Sequence, residues 1–110
     1  MRPRILRFLP AGVLGGLLLT ATMQAQSDPA ETYKANCELC HGTDGSGNTG
    51  PGKAMHAKDL RSDEVQKQTD EALAEVITTG RGKMPSFRAK IKPDGIKQLV
   101  AYIRTLPTQK

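Results

Sequence analysis

Cys37-Glu38-Leu39-Cys40-His41 is the stretch on which the reading of this chain turns. Two thiols separated by two residues, with an imidazole directly after the second, form the attachment signature of c-type haem. The spacing has a mechanical reason. Two thiols add to two vinyl groups on neighbouring edges of the haem ring. Two intervening residues let one turn of chain bring both sulfurs there. The next residue then falls beneath the iron, so His41 is the expected proximal ligand. One haem c, bound through Cys37 and Cys40, is the predicted cofactor.

Three other uses of the same residues compete with this one. A structural zinc site needs four ligands, and Cys37, Cys40, His41 and His56 would have to supply them. A redox-active dithiol in a thioredoxin-like fold calls for a βαβ pattern, which this sequence lacks. A Cys37–Cys40 disulfide closes too small a loop to stabilise much.

The second axial face of the iron has three candidates once Met1 and Met23 are set aside with the leader: Met55, His56 and Met84. Met84 is preferred. It lies in Gly80-Arg81-Gly82-Lys83-Met84-Pro85, a loop between two helical patterns. Its glycines let the backbone turn a side chain back toward the haem, and Pro85 stiffens the exit. Met55 and His56 follow His41 by only 14 and 15 residues, and would have to cross between haem faces in a short loop. An open iron site is the remaining alternative. The thioether of a His/Met pair is a weak donor that favours Fe(II) and raises the potential.

The start of the chain reads as a signal peptide over residues 1–25. Arg2, Arg4 and Arg7 give a positive start, Phe8 to Leu19 is mostly apolar, and Ala21 and Ala25 are small. Those are the n-region, h-region and cleavage site of an export signal. Cleavage after Ala25 is expected, with Ala21 as the alternative. The apolar run falls short of the roughly 20 residues that a membrane span needs. An uncleaved anchor is the competing reading. Haem attachment of this kind takes place outside the cytoplasm, so the predicted location is periplasmic.

Removing that segment changes the charge argument. The full chain carries 16 basic and 11 acidic residues, a net +5; three arginines leave with the leader, so 13 and 11 remain, or +2. The basic character of the whole chain is therefore no sign of nucleic-acid binding, and no interleaving of basic and aromatic residues suggests it either. The remaining charge is uneven. Residues 26–80 hold five basic and ten acidic groups, and residues 81–110 hold eight basic groups against Asp94 alone. A one-sided field of that kind steers an acidic partner. The plainer reading is a solvated helix face.

Residues 26–110 form one small domain with no Trp, one Phe and two Tyr. A chain of that size usually needs a staple or a cofactor to complete its core. Its helical signals are clear. Asp28-Pro29-Ala30-Glu31 starts a helix running to about Asn36. A glycine-rich loop is expected from Gly42 to Gly52, and a helical turn after Ser62. A helix capped by Thr69 or Asp70 runs through Thr79, with Leu73, Val76 and Ile77 on one face and Gly80 as its stop. The last helix runs from near Pro93 to about Leu106, with Ile96, Leu99, Val100, Ile103 and Leu106 as its apolar stripe. No run is long and alternating enough for a strand, so the class is all-α. Gly45-Ser46-Gly47-Asn48-Thr49-Gly50 matches a dinucleotide-binding pattern on paper, but it follows no strand and is rejected. No Ser/His/Asp or paired-carboxylate arrangement is recognisable, and no enzymatic activity is expected.

With these residues in view, the chain resembles the class I c-type cytochromes, the small monohaem bacterial kind. The likeness runs from about Tyr33 to Leu106. It rests on Tyr33, Cys37-x-x-Cys40-His41-Gly42, Gly50-Pro51, Gly80-x-Gly82-x-Met84-Pro85-x-Phe87 and the terminal Ile96 to Leu106 pattern. The resemblance implies three to five short helices wrapped around one haem. It implies thioethers at Cys37 and Cys40 and axial ligation by His41 and Met84. It also implies that the Pro51 carbonyl accepts a hydrogen bond from the other ring nitrogen of His41. The first and last helices should cross, with Tyr33 and Tyr102 near the contact. Lys92 departs from the pattern, standing where Ser or Thr often caps the terminal helix.

The function expected is single-electron transfer between periplasmic redox proteins. Arg81, Lys83, Arg88 and Lys90 would offer a docking surface to an acidic partner. Contact with a membrane is expected only through a docked partner or an uncleaved leader. A cytochrome subunit of a dehydrogenase or terminal oxidase is the second reading. A five-coordinate haem that binds gas or peroxide is the third.

Overall fold

The computed structural model describes residues 9–13, 15–20 and 27–108. The proposed cleavage sites after Ala21 and Ala25 lie outside these residues. Residues 9–13 and 15–20 form no helix, and Leu9, Val13 and Leu17 to Leu19 are exposed. No helix among the described residues is long and apolar enough to cross a membrane.

The described residues form six α-helices: α1 (Pro29–Asn36), α2 (Glu38–His41), α3 (Gly50–Met55), α4 (Asp63–Gln66), α5 (Asp70–Thr79) and α6 (Pro93–Thr105), followed by a 3-10 turn at Leu106–Thr108. Their only β feature is an isolated bridge between Arg81 and Met84. The all-α class is thus observed. The helix count exceeds three to five because the attachment motif and the Gly50-Pro51 segment each form a short helix.

Local chemistry explains most of the boundaries. The Asp28 carboxylate accepts from Ala30 N–H ahead of Pro29, and Ser62 and Thr69 accept from Val65 and Ala72 N–H. Each satisfies an amide that has no partner within its helix. At α6 the Lys92 side chain makes no capping bond. Pro93 presets the first turn, Asp94 favours the positive end of the helix dipole, and Ile96 N–H still reaches the Lys92 carbonyl at 3.0 Å.

The core is the stripe of α6, where Ile96, Leu99, Val100 and Ile103 are buried, closed by Tyr33, Val65, Leu73, Ile77, Phe87, Ile91 and Leu106. α6 packs against both α1 and α5. The expected crossing of first and last helices is present. Tyr33 and Tyr102 rings lie 5.2 Å apart, centroid to centroid, tilted by 51°. That spacing suits an aromatic pair. The buried Tyr33 hydroxyl donates to the Gly42 carbonyl at 2.7 Å. This bond ties α1 to the residue immediately after His41. Cys37 and Met84 both border the same core.

Candidate haem-attachment site

Cys37 ends α1 and precedes α2, so the attachment motif is a helical turn. Amide N–H groups of Cys40 and His41 donate to the Cys37 carbonyl at 3.2 and 2.9 Å. Both cysteines are free thiols, each half-buried. Burial, and then the neighbouring Cys40, push the Cys37 thiol up to about 11. It is therefore a neutral thiol near neutral pH.

His41 is half-buried, and its Nδ1 lies 3.0 Å from the Lys58 carbonyl oxygen. A carbonyl only accepts, so Nδ1 carries the proton and Nε2 keeps its lone pair. Burial lowers the pKa of this ring, and the bond to Lys58 partly opposes that. Together they give a neutral imidazole with one nitrogen anchored and the other available as a donor.

The acceptor is a correction to the expectation at Pro51. Pro51 lies in the first turn of α3, where a helical carbonyl points along the axis toward the amide four residues on. The chain then returns through Ala57 to Leu60. Ala57 N–H donates to the Gly52 carbonyl at 2.8 Å and Leu60 N–H to the Gly45 carbonyl at 2.7 Å. That return brings the Lys58 carbonyl to His41. Nothing in the sequence marks Lys58 for the role, because every residue has a carbonyl.

Two further residues hold the motif. The Thr49 hydroxyl reaches the carbonyls of Leu39 and Cys40 at 2.8 and 3.2 Å, and accepts from Gly52 N–H at 2.8 Å. It therefore caps α3 and ties that helix to the attachment turn. Gly52 backs directly onto the Cys40 carbonyl. Thr49 ahead of Gly-Pro was a readable capping signal; the close approach at Gly52 was not.

Met84 is half-buried. Gly80 turns the chain with φ 77°, and a Cβ there would stand 2.7 Å from the Met84 carbonyl oxygen. Met84 N–H and Arg81 N–H close the tight turn by exchanging bonds with each other's carbonyls at 2.9 and 3.1 Å. Phe87 N–H donates to the Ile77 carbonyl at 3.0 Å, fixing the exit of the loop to α5. Met55 and His56 are exposed. Among the described residues no group of three or more His, Cys, Asp and Glu side chains stands together to hold a metal ion. The four-ligand zinc reading has no site there.

These residues fit covalent haem: two free thiols on one turn, and beside them an imidazole with an anchored Nδ1 and an available Nε2. The family described as cytochrome c oxidase, cbb3-type, subunit III matches residues 24–103. The chain belongs to this family of c-type cytochromes. Covalently bound haem c follows from that membership and the Cys37/Cys40 spacing. The FixP subunit of a cbb3-type cytochrome c oxidase from Azorhizobium caulinodans is 38% identical over 79 residues, covering 70% of this chain and 26% of FixP. This cytochrome thus spans about a quarter of that relative's length. Cytochrome c6 of Leptolyngbya boryana is 30% identical over 76 residues, covering 66% of this chain and 82% of the relative. Among solved structures, the c-type cytochrome KustC0563 superposes with a TM-score of 0.67 at 33% identity, covering 72% of this chain and 96% of that one. The class I cytochrome fold expected from the motifs is therefore the fold of this cytochrome.

Proposed function

We propose that this cytochrome transfers single electrons between periplasmic redox proteins, with residues 26–110 as the working domain and residues 1–25 as a removable signal peptide. The observation that carries the reading is His41: its Nδ1 is committed to the Lys58 carbonyl beside two free thiols one turn apart. Cys37 and Cys40 would hold the haem through thioethers, His41 would ligate through Nε2, and Met84 would take the second axial position. When bound, haem c supplies a one-electron Fe(III)/Fe(II) couple. With both axial positions filled by the chain, no place is left for a substrate at the iron. Arg81, Lys83, Arg88 and Lys90, all exposed, suit the docking of an acidic redox partner.

The test is carbon monoxide added to the reduced holoprotein. An unchanged spectrum is expected when Met84 occupies the iron. Rapid formation of a carbonyl adduct would overturn the carrier reading in favour of a five-coordinate haem. The likeness to FixP supports a second reading, a cytochrome subunit that relays electrons within an oxidase. Co-purification with a large membrane enzyme after mild extraction would favour that reading, and isolation as a free small protein would favour the carrier.

A further inference from the structure

The carbonyl that holds His41 belongs to a segment with no regular structure of its own. What fixes that segment is legible from its bonds. Leu60 sits two residues past Lys58, and its N–H is anchored on Gly45 at 2.7 Å. Its carbonyl accepts from Gln66 Nε2 at 2.7 Å. The same Nε2 reaches the Ile103 carbonyl on α6 at 3.3 Å. Gln66 is in turn gripped by Arg104, whose Nη1 donates to the Gln66 carbonyl at 2.8 Å and approaches Gln66 Oε1 at 3.5 Å. The Arg104 guanidinium is itself fixed by the Gln68 carbonyl and by the Asp70 carboxylate, at 2.9 and 3.1 Å.

The orientation of the Gln66 amide follows from these partners. Its nitrogen faces two carbonyl oxygens and its oxygen faces a guanidinium, so only one of the two flipped states satisfies every atom. Salt does not compete effectively with such a link. Gln66 and Arg104 are both half-buried. The other side-chain ties on the segment are local or exposed. The Asp59 carboxylate pairs with Arg61 at 3.1 Å and the Asp59 carbonyl accepts from the Ser62 hydroxyl at 2.7 Å, both within three residues. Lys58 to Glu64 at 2.9 Å is about two-thirds exposed at both ends and contributes little.

We propose that Gln66, locked by Arg104, is a positioning residue for the proximal imidazole. It fixes the Leu60 carbonyl, and through the Lys58–Leu60 segment the acceptor of His41 Nδ1–H. The terminal helix α6 thereby sets the strength of that hydrogen bond, and with it the donor strength of His41 Nε2. This role rests on His41 being the haem ligand.

The test compares holoprotein of the wild type with Gln66→Glu and Arg104→Lys. Gln66→Glu keeps a partner for Arg104 but cannot donate to Leu60. Two quantities are read: the exchange rate of the His41 Nδ1 proton in the reduced protein by NMR, and the reduction potential. A looser Lys58 carbonyl weakens the bond to Nδ1–H, makes Nε2 a poorer donor to Fe(III), and raises the potential. We expect Nδ1–H exchange at least tenfold faster and a positive shift in potential for Gln66→Glu, with Arg104→Lys changing both in the same direction. Wild-type exchange and potential in Gln66→Glu, whatever its melting temperature, would overturn the proposal. If glutamate is not tolerated, Gln66→Met, of similar length and without a donor, must give the same two shifts or the proposal falls. Failure of the haem-ligand reading would show separately, as a wild-type spectrum without low-spin haem.

Discussion

At Gly52, an added Cβ would run into the carbonyl oxygen of Cys40 and stand 2.8 Å from the Thr49 hydroxyl. Both neighbours belong to the scaffold of the attachment turn, so neither moves freely. Gly52→Ala should therefore lower stability by about 1–3 kcal/mol, the usual cost of overpacking, as read from urea unfolding of the holoprotein. An unchanged midpoint would mean that α3 does not press on the motif. Single residues also mark how far the sequence could be read. Cys37, Cys40 and His41 were legible because their chemistry lies within one turn of chain. The acceptor for His41 was not, since a backbone carbonyl carries no residue-type signal and Lys58 looks like any surface lysine. The resemblance pointed to Pro51, whose carbonyl is instead built into the first turn of α3.

Among the elements, α6 has the clearest sequence pattern and does the most packing. Its apolar residues at Ile96, Leu99, Val100 and Ile103 recur with helical period and are all buried, as the stripe required. Leu99 is fully buried at 0% exposure, between helices on two sides. Leu99→Ala should lower stability by about 2–5 kcal/mol, measured by chemical unfolding; a loss under about 0.5 kcal/mol would contradict a core centred on α6. The start of α5 was also legible, in Thr69 followed by Asp70 and Glu71. By contrast α3 went unread. Gly50-Pro51-Gly52 looks like a loop by composition, and its helix depends on the Thr49 cap and on contact with the attachment turn. The uncapped Lys92 boundary held, because Pro93 and the backbone bond from Ile96 suffice there.

For the molecule as a whole, the charge asymmetry is the feature that composition alone conceals. Among the described residues, the structure separates two kinds of basic group past Gly80. Arg104 is spent within the fold on Asp70 and the Gln66 and Gln68 carbonyls. Arg81, Lys83, Arg88 and Lys90 remain exposed, on the segment that also carries Met84. Steering by such a patch depends on ionic strength. The paired reversal Lys83→Glu and Lys90→Glu should slow electron transfer to an acidic partner at least tenfold at low salt in stopped-flow measurements, with the difference shrinking as salt rises. Equal rates for both proteins at low salt would assign these lysines to a plain solvated surface.

The central claim is that one haem is bound through Cys37 and Cys40 and ligated by both His41 and Met84. It is tested most directly by the optical spectrum of the purified, oxidised protein, scanned into the far red. The account predicts a low-spin haem spectrum with the weak charge-transfer band of a methionine–Fe(III) bond, absent in Met84→Ala. A high-spin spectrum without that band in the wild type would contradict it and remove Met84 from the iron.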